Sequence, residues 1–119
     1  YRAGVVELYQ CPKCKRVTRF PRYNVASKLL ETRRGRCGEY ANVCALFTTS
    51  LGFDTRHVTD WTDHVWVEVY SEDQHRWLHA DSPNLDAPMT YEVRSVLESP
   101  QSGWNKKLTY VIAVSPHEV

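Results

Sequence analysis

Asp63-His64-Val65-Trp66-Val67-Glu68-Val69-Tyr70, then Ser71-Glu72-Asp73-Gln74, then Arg76-Trp77-Leu78-His79-Ala80-Asp81, is the stretch whose reading decides the fold. Val65, Val67 and Val69 alternate strictly with His64, Trp66, Glu68 and Tyr70. A period of two in β-branched and aromatic residues predicts a strand. The polar tetrapeptide suits a tight turn, and the run after it predicts a return strand ended by Ser82-Pro83-Asn84. Folding about the middle of 71–74 sets Glu68 opposite Trp77, Trp66 opposite His79 and His64 opposite Asp81. Directly opposed side chains share a face, with Cβ atoms roughly 4.5–5.5 Å apart, so an imidazole and a carboxylate to orient it arrive as cross-strand neighbours. A slip of one residue would send Asp81 to the other face.

Working outward toward the N-terminus, residues 39–51 contain no Gly or Pro, Gly35 and Gly38 precede them, and Gly52 follows. This predicts a helix with a natural C-terminal stop. Ala41, Cys44 and Ala45 give one stripe that Val43, Leu46 and Phe47 widen, so the helix is expected to be buried over much of its circumference. Cys37 sits at or just before its first turn, where unpaired amides and the helix dipole favour a thiolate. Taken alone, Cys37 reads equally well as a buried structural cysteine. Together, Cys37, His64 and Asp81 are the residue types of a thiol nucleophile, its base and the group that orients the base. The Cys37 backbone amide is a candidate oxyanion donor. Cys44, mid-helix on the apolar stripe, reads as core.

The remaining segments complete an α+β reading: helices packed on an antiparallel sheet. Val5–Tyr9 is a short strand, and 16–23 is extended, with Pro21 blocking a helix. Val25–Arg33 is a short helix, Phe53–Thr59 the first sheet strand and Lys107–Val114 another. The region 82–105 is loop-rich, with a helical turn around Glu92–Glu98. Cys11-Pro12-Lys13-Cys14 supplies two thiols on one turn, half of a tetrahedral zinc site, and no βαβ pattern surrounds it to favour a redox role. Most of the four tryptophans are expected to pack. Trp61 and Trp66, which flank His64, are the candidate substrate contacts, Trp61 foremost. His79 is either a support for the site or simply packed, His57 and His75 read as surface residues, and Arg33-Arg34-Gly35-Arg36 reads as a solvated basic patch, or else as a group that orients Cys37 or an acidic partner.

At 119 residues and 42% hydrophobic, the whole of 1–119 suits one globular domain, with 1–24 as knuckle half and lead-in and 25–119 as the Cys-His-Asp core. A net charge of +1 argues for neither nucleic-acid nor membrane binding, and no apolar run is long enough to span a bilayer. The four cysteines fit a reducing compartment better than a disulfide framework. Beginning at Tyr1 with half a metal site, the chain reads as a piece of a longer protein, and nothing argues for more than a monomer.

Seven segments carry a resemblance: Arg19-Phe20-Pro21-Arg22-Tyr23-Asn24, Lys28-Leu29-Leu30-Glu31-Thr32-Arg33, Gly35-Arg36-Cys37-Gly38-Glu39-Tyr40-Ala41-Asn42, Leu51-Gly52-Phe53, Thr62-Asp63-His64-Val65-Trp66, Arg76-Trp77-Leu78-His79 and Trp104-Asn105-Lys106-Lys107-Leu108-Thr109-Tyr110. Nearly continuously from Val6 to Val114, the chain resembles the catalytic core of the cytoplasmic peptide:N-glycanases, in the transglutaminase-like superfamily. The resemblance implies a papain-like triad on Cys37, His64 and Asp81, and an amidase that removes N-linked glycans from misfolded glycoproteins. It also implies a four-cysteine structural zinc, of which Cys11 and Cys14 match one half, a cytoplasmic location, and ubiquitin- or proteasome-linked partners recruited by regions outside this chain. Two departures stand out: the loop after Asp81 is shorter and lacks the family's acidic residue, and 93–102 looks inserted. Another Cys-His-Asp thiol enzyme, a protease or transglutaminase, would show the same triad, and a non-catalytic scaffold on this fold would have lost it.

Overall fold

A computed structural model of the chain describes residues 2–81 and 109–117. Along it run β1 (Val5–Gln10), β2 (Val17–Arg22), α1 (Ala26–Thr32), α2 (Cys37–Ser50), β3 (Thr55–Asp60), β4 (His64–Ser71), β5 (Arg76–Ala80) and β6 (Val111–Val114). The expected helical turn near 92–98, the shortened loop after Asp81 and the insertion at 93–102 lie outside the described residues.

β1 and β2 form an antiparallel ribbon from Val5↔Arg22 to Gln10↔Val17, with Cys11–Arg16 as its tip. The segment expected only to be extended is therefore a full partner strand. Pro21 opposite Val6 is tolerated because a two-stranded ribbon has free edges, where a missing N–H breaks no inner ladder. The other four strands make one antiparallel sheet in the order β5-β4-β3-β6.

The β4–β5 register corrects the sequence-based expectation by two residues. Val67 faces Ala80, Glu68 faces His79, Tyr70 faces Trp77 and Ser71 faces Arg76. The reason lies in the turn. The expected pairing needs a two-residue loop at Glu72-Asp73, which requires positive φ at its centre and favours Asn-Gly or Asp-Gly. Glu72 cannot meet that demand without strain, so the loop takes four residues. Gln74 N–H donates to Ser71 Oγ at 3.2 Å, and His75 adopts φ +50° at the exit. Because the side-chain period is two, a two-residue shift leaves every residue on its expected face.

α2 lies on the valine face of β4. Ala41, Cys44 and Val67 are buried together, with Ala45, Val65, Val69 and Ala80 packed around them. Near its other end, Thr55 Oγ1 donates to Thr48 Oγ1 at 2.9 Å and ties α2 to the start of β3. The buried stripe is narrower than the sequence suggests, since Leu46 and Phe47 are exposed. Small residues let a helix approach a sheet closely, and the bulky flank then turns outward. α1 packs beside α2 through buried Leu29 and ends where Arg33, at φ 52°, donates its N–H to Leu29 O.

Candidate active site

The site is built at one end of the sheet. His64 is the first residue of β4 and is delivered by the three-residue turn 61–63, in which Asp63 has φ 69° and Trp61 N–H donates to Tyr110 O at 2.9 Å. Asp81 directly follows β5. Its Oδ2 lies 2.7 Å from His64 Nε2. Continuing the observed register would set Asp81 beside Trp66, so this contact runs diagonally across the two strands rather than straight across. A carboxylate on Nε2 keeps a proton there and leaves Nδ1 as the basic nitrogen of the neutral ring.

Cys37 is the first residue of α2, following Arg36 as the N-cap. The Cys44 thiol reaches the Ala80 carbonyl at 3.7 Å, and Ala80 pairs with Val67. From Cys44 back to Cys37 is seven helical residues, about 10 Å of rise. From Val67 back to His64 is three strand residues, also about 10 Å. Because α2 runs parallel to β4, with Thr48 at the Thr55–Val69 end, both steps lead the same way. Cys37 and His64 thus stand at one level. Placement at the same end of the sheet associates the Cys37 thiol with His64.

Behind His64 lies a group of side chains of which sequence reasoning picked out Trp66 and His79 but missed Arg56 and Glu68. The imidazole stacks on Trp66 with ring centroids 5.7 Å apart, and Trp66 meets His79 at 5.3 Å. Glu68 accepts from His79 Nε2 at 2.8 Å, from Arg56 Nε at 2.7 Å and from the Trp66 indole at 3.4 Å. Burial pushes the Glu68 carboxyl up, but His79 and Arg56 outweigh it and hold it below the usual carboxylate range. Arg56 also covers the Trp77 ring at 4.3 Å. The signal was present in the sequence as Arg56, Glu68 and His79 on one face of three strands. It became legible only with the correct register, which makes Arg56↔Glu68↔His79 a straight row.

Other assignments are revised. Trp66, a candidate substrate contact, is 1% exposed between His64 and His79, so its ring packs and supports; Trp61 is 78% exposed. His57, read as a surface residue, has a buried Nε2 without a partner among the described residues, and burial lowers its pKa. His75 is exposed at the turn. The Arg33–Arg36 run is not simply solvated: Arg36 pairs with Glu7, and Arg33 and Arg34 border a cavity of about 540 Å³ between α1 and α2. Cys44 is buried, and burial followed by the nearby Asp81 charge pushes its thiol up, as suits a packed protonated sulfur.

At the tip of the β1–β2 ribbon, the backbone amides of Cys14 and Lys13 and the Cys14 thiol act on the Cys11 sulfur and pull its pKa down. Cys11 N–H donates to Arg16 O and Lys15 N–H to Cys11 O, both at 2.9 Å, which closes the knuckle. Amides aimed at a sulfur stabilise a thiolate, so the pair fits half of a tetrahedral thiolate site. No cluster of three or more His, Cys, Asp or Glu able to hold a metal occurs among the described residues.

A thiol opening a helix, level with a carboxylate-bound imidazole on an antiparallel sheet, is the arrangement of residue types that Cys-His-Asp thiol enzymes of the α+β class use. The chain belongs to the transglutaminase-like superfamily, whose sequence profile matches residues 3–82. It is 52% identical over 121 residues to a peptide-N(4)-(N-acetyl-beta-glucosaminyl)asparagine amidase of Gallus gallus, covering 100% of this chain and 17% of that protein. Enzymes of the same name from Homo sapiens and Saccharomyces cerevisiae are 52% and 45% identical, over 98% and 95% of this chain. The chain spans 17% and 29% of those two proteins. No described helix is long and apolar enough to cross a membrane.

Proposed function

We propose that this chain is the catalytic core of a peptide-N(4)-(N-acetyl-beta-glucosaminyl)asparagine amidase acting on misfolded N-glycoproteins. The observation that carries the reading is the 2.7 Å His64–Asp81 pair level with Cys37 at the start of α2, in a chain about half identical to enzymes of that name. The Cys37 thiolate attacks the side-chain amide carbon of a glycosylated asparagine, and the tetrahedral oxyanion is met by the Cys37 amide, which has no acceptor within the helix. His64 gives its proton to the departing glycosylamine as the C–N bond breaks, leaving a thioester. His64 then takes a proton from water, which attacks the thioester, returns the thiol and leaves aspartate. Asp81 holds the ring and stabilises the imidazolium.

The Cys11–Cys14 knuckle supports a structural zinc site, with further ligands from elsewhere in the protein; the metal's contribution is to folding. Four cysteines without a disulfide support a reducing, cytoplasmic setting. The test is mass spectrometry of a denatured high-mannose glycoprotein incubated with the complete protein. Glycan release with asparagine-to-aspartate conversion is expected, abolished in Cys37→Ala and His64→Ala. Full turnover by Cys37→Ala would refute the mechanism.

A further inference from the structure

Glu39 is a buried acid in the turn that Cys37 opens: it is the third residue of α2 and only 3% exposed. An anion near a helix N-terminus is favourable in itself, and Glu39 accepts the Arg36 backbone N–H at 3.1 Å. A buried charge also needs a partner. Arg22, the last residue of β2, supplies it with two prongs: Nε to one carboxylate oxygen, and Nη2 to the other at 2.7 Å. The remaining prong, Nη1, donates to Glu7 of β1 at 2.8 Å, and Glu7 also accepts from Arg36 and from the Tyr9 hydroxyl. The loop before α2 is shaped to this cluster. A Cβ on Gly35 would stand 2.5 Å from Glu39 Cβ, so only glycine passes there.

The ribbon is thereby fastened to the first turn of α2 by charge. Two consequences follow for Cys37. Its turn is held in place from outside the sheet, and the carboxylate two residues away is neutralised. Left bare, that carboxylate would add a negative charge to the turn in which the thiol reacts as a thiolate.

We propose that Arg22 and Glu39 are positioning residues for the Cys37 nucleophile, the two-pronged pair fixing the helix's first turn against the β1–β2 ribbon and balancing the negative charge carried in the thiol's own helical turn. This rests on Cys37 being the nucleophile. The test measures the rate at which iodoacetamide modifies Cys37 at pH 7 in the complete protein, by peptide-resolved mass spectrometry, with a thermal melt to establish folding. Arg22→Gln is expected to slow modification about tenfold by leaving the carboxylate bare. The double variant Arg22→Gln with Glu39→Gln carries an uncharged pair and is expected to recover to within about threefold of the parent. A merely structural role would make the double variant at least as slow as the single. Should Arg22→Gln not fold, Arg22→Lys keeps the charge but loses the fork, and is expected to react about threefold more slowly than the parent. An unchanged rate in a folded Arg22 variant, or a double variant as slow as Arg22→Gln, overturns the proposal. The readout is separate from glycan release. A thiol that responds in a protein inactive on glycoprotein overturns the function and leaves the pair standing; the reverse result does the opposite.

Discussion

Trp61 and Trp66 stand on either side of the turn that delivers His64, and burial separates what they do. Trp66 fills the space between two imidazoles and donates its indole N–H to Glu68. Trp66→Ala is therefore expected to cost about 3–5 kcal/mol, read as a fall in melting temperature or denaturant midpoint. Trp61 is largely exposed beside the site. Trp61→Ala should leave stability within about 0.5 kcal/mol and, on the proposed function, raise KM for glycoprotein more than it lowers kcat. Asp81→Asn keeps the shape of the pair but lets the amide favour the wrong imidazole tautomer, so kcat is expected to fall on the order of 10³–10⁴-fold with the fold intact. The sequence put Trp61 foremost but kept both as substrate contacts. The stacking of Trp66 between His64 and His79 removed the second, because burial is a property of neighbours and not of residue type.

At the scale of elements, the ribbon and the sheet are each joined to their surroundings by carboxylates held ionised. The Tyr9 hydroxyl and the Arg22 guanidinium hold the Glu7 carboxyl down at about 2, against an ordinary 4.5. For Glu39 burial pushes the other way, but Arg22 and two backbone amides prevail; Glu68 is likewise held low against its burial by His79 and Arg56. A carboxyl whose folded pKa is depressed contributes stability above its unfolded pKa and loses it as pH falls toward the folded value. Urea midpoints are therefore expected to hold steady above about pH 5 and to decline between about pH 4.5 and 2, as these acids take up protons. An acid limb beginning only below pH 2 would contradict these pairings. The strands themselves were readable in advance, since alternation is a local pattern. Their register was not, because it depended on whether Glu72-Asp73 could make a two-residue turn.

Across the whole molecule, the helix that Cys37 opens is supported from two sides: by the valine face of β4 through Ala41, Cys44 and Ala45, and by the β1–β2 ribbon through Arg22, Glu7 and Arg36. The ribbon's far tip is the Cys11–Cys14 knuckle, so disorder at the knuckle would be felt at α2. In the complete protein, metal analysis is expected to find stoichiometric zinc that is lost on changing Cys11 and Cys14 together to Ser, with a lower melting temperature. Unchanged zinc content in that double variant would remove the knuckle from the metal site. By itself the sequence determined which residues share a strand face and that Cys37 lies at or just before the start of α2, because periodicity and helix start signals act over a few neighbouring residues. It also determined that His64 and Asp81 lie on one face, since a shift by two preserves parity. The tertiary structure alone decided the diagonal His64–Asp81 contact, the Arg56–Glu68–His79 row, the burial of Trp66 and the Arg22–Glu39 clasp. Each of those joins residues 12 or more apart in the chain or depends on packing between elements, and such pairings are set by loop closure and packing, which no local pattern encodes.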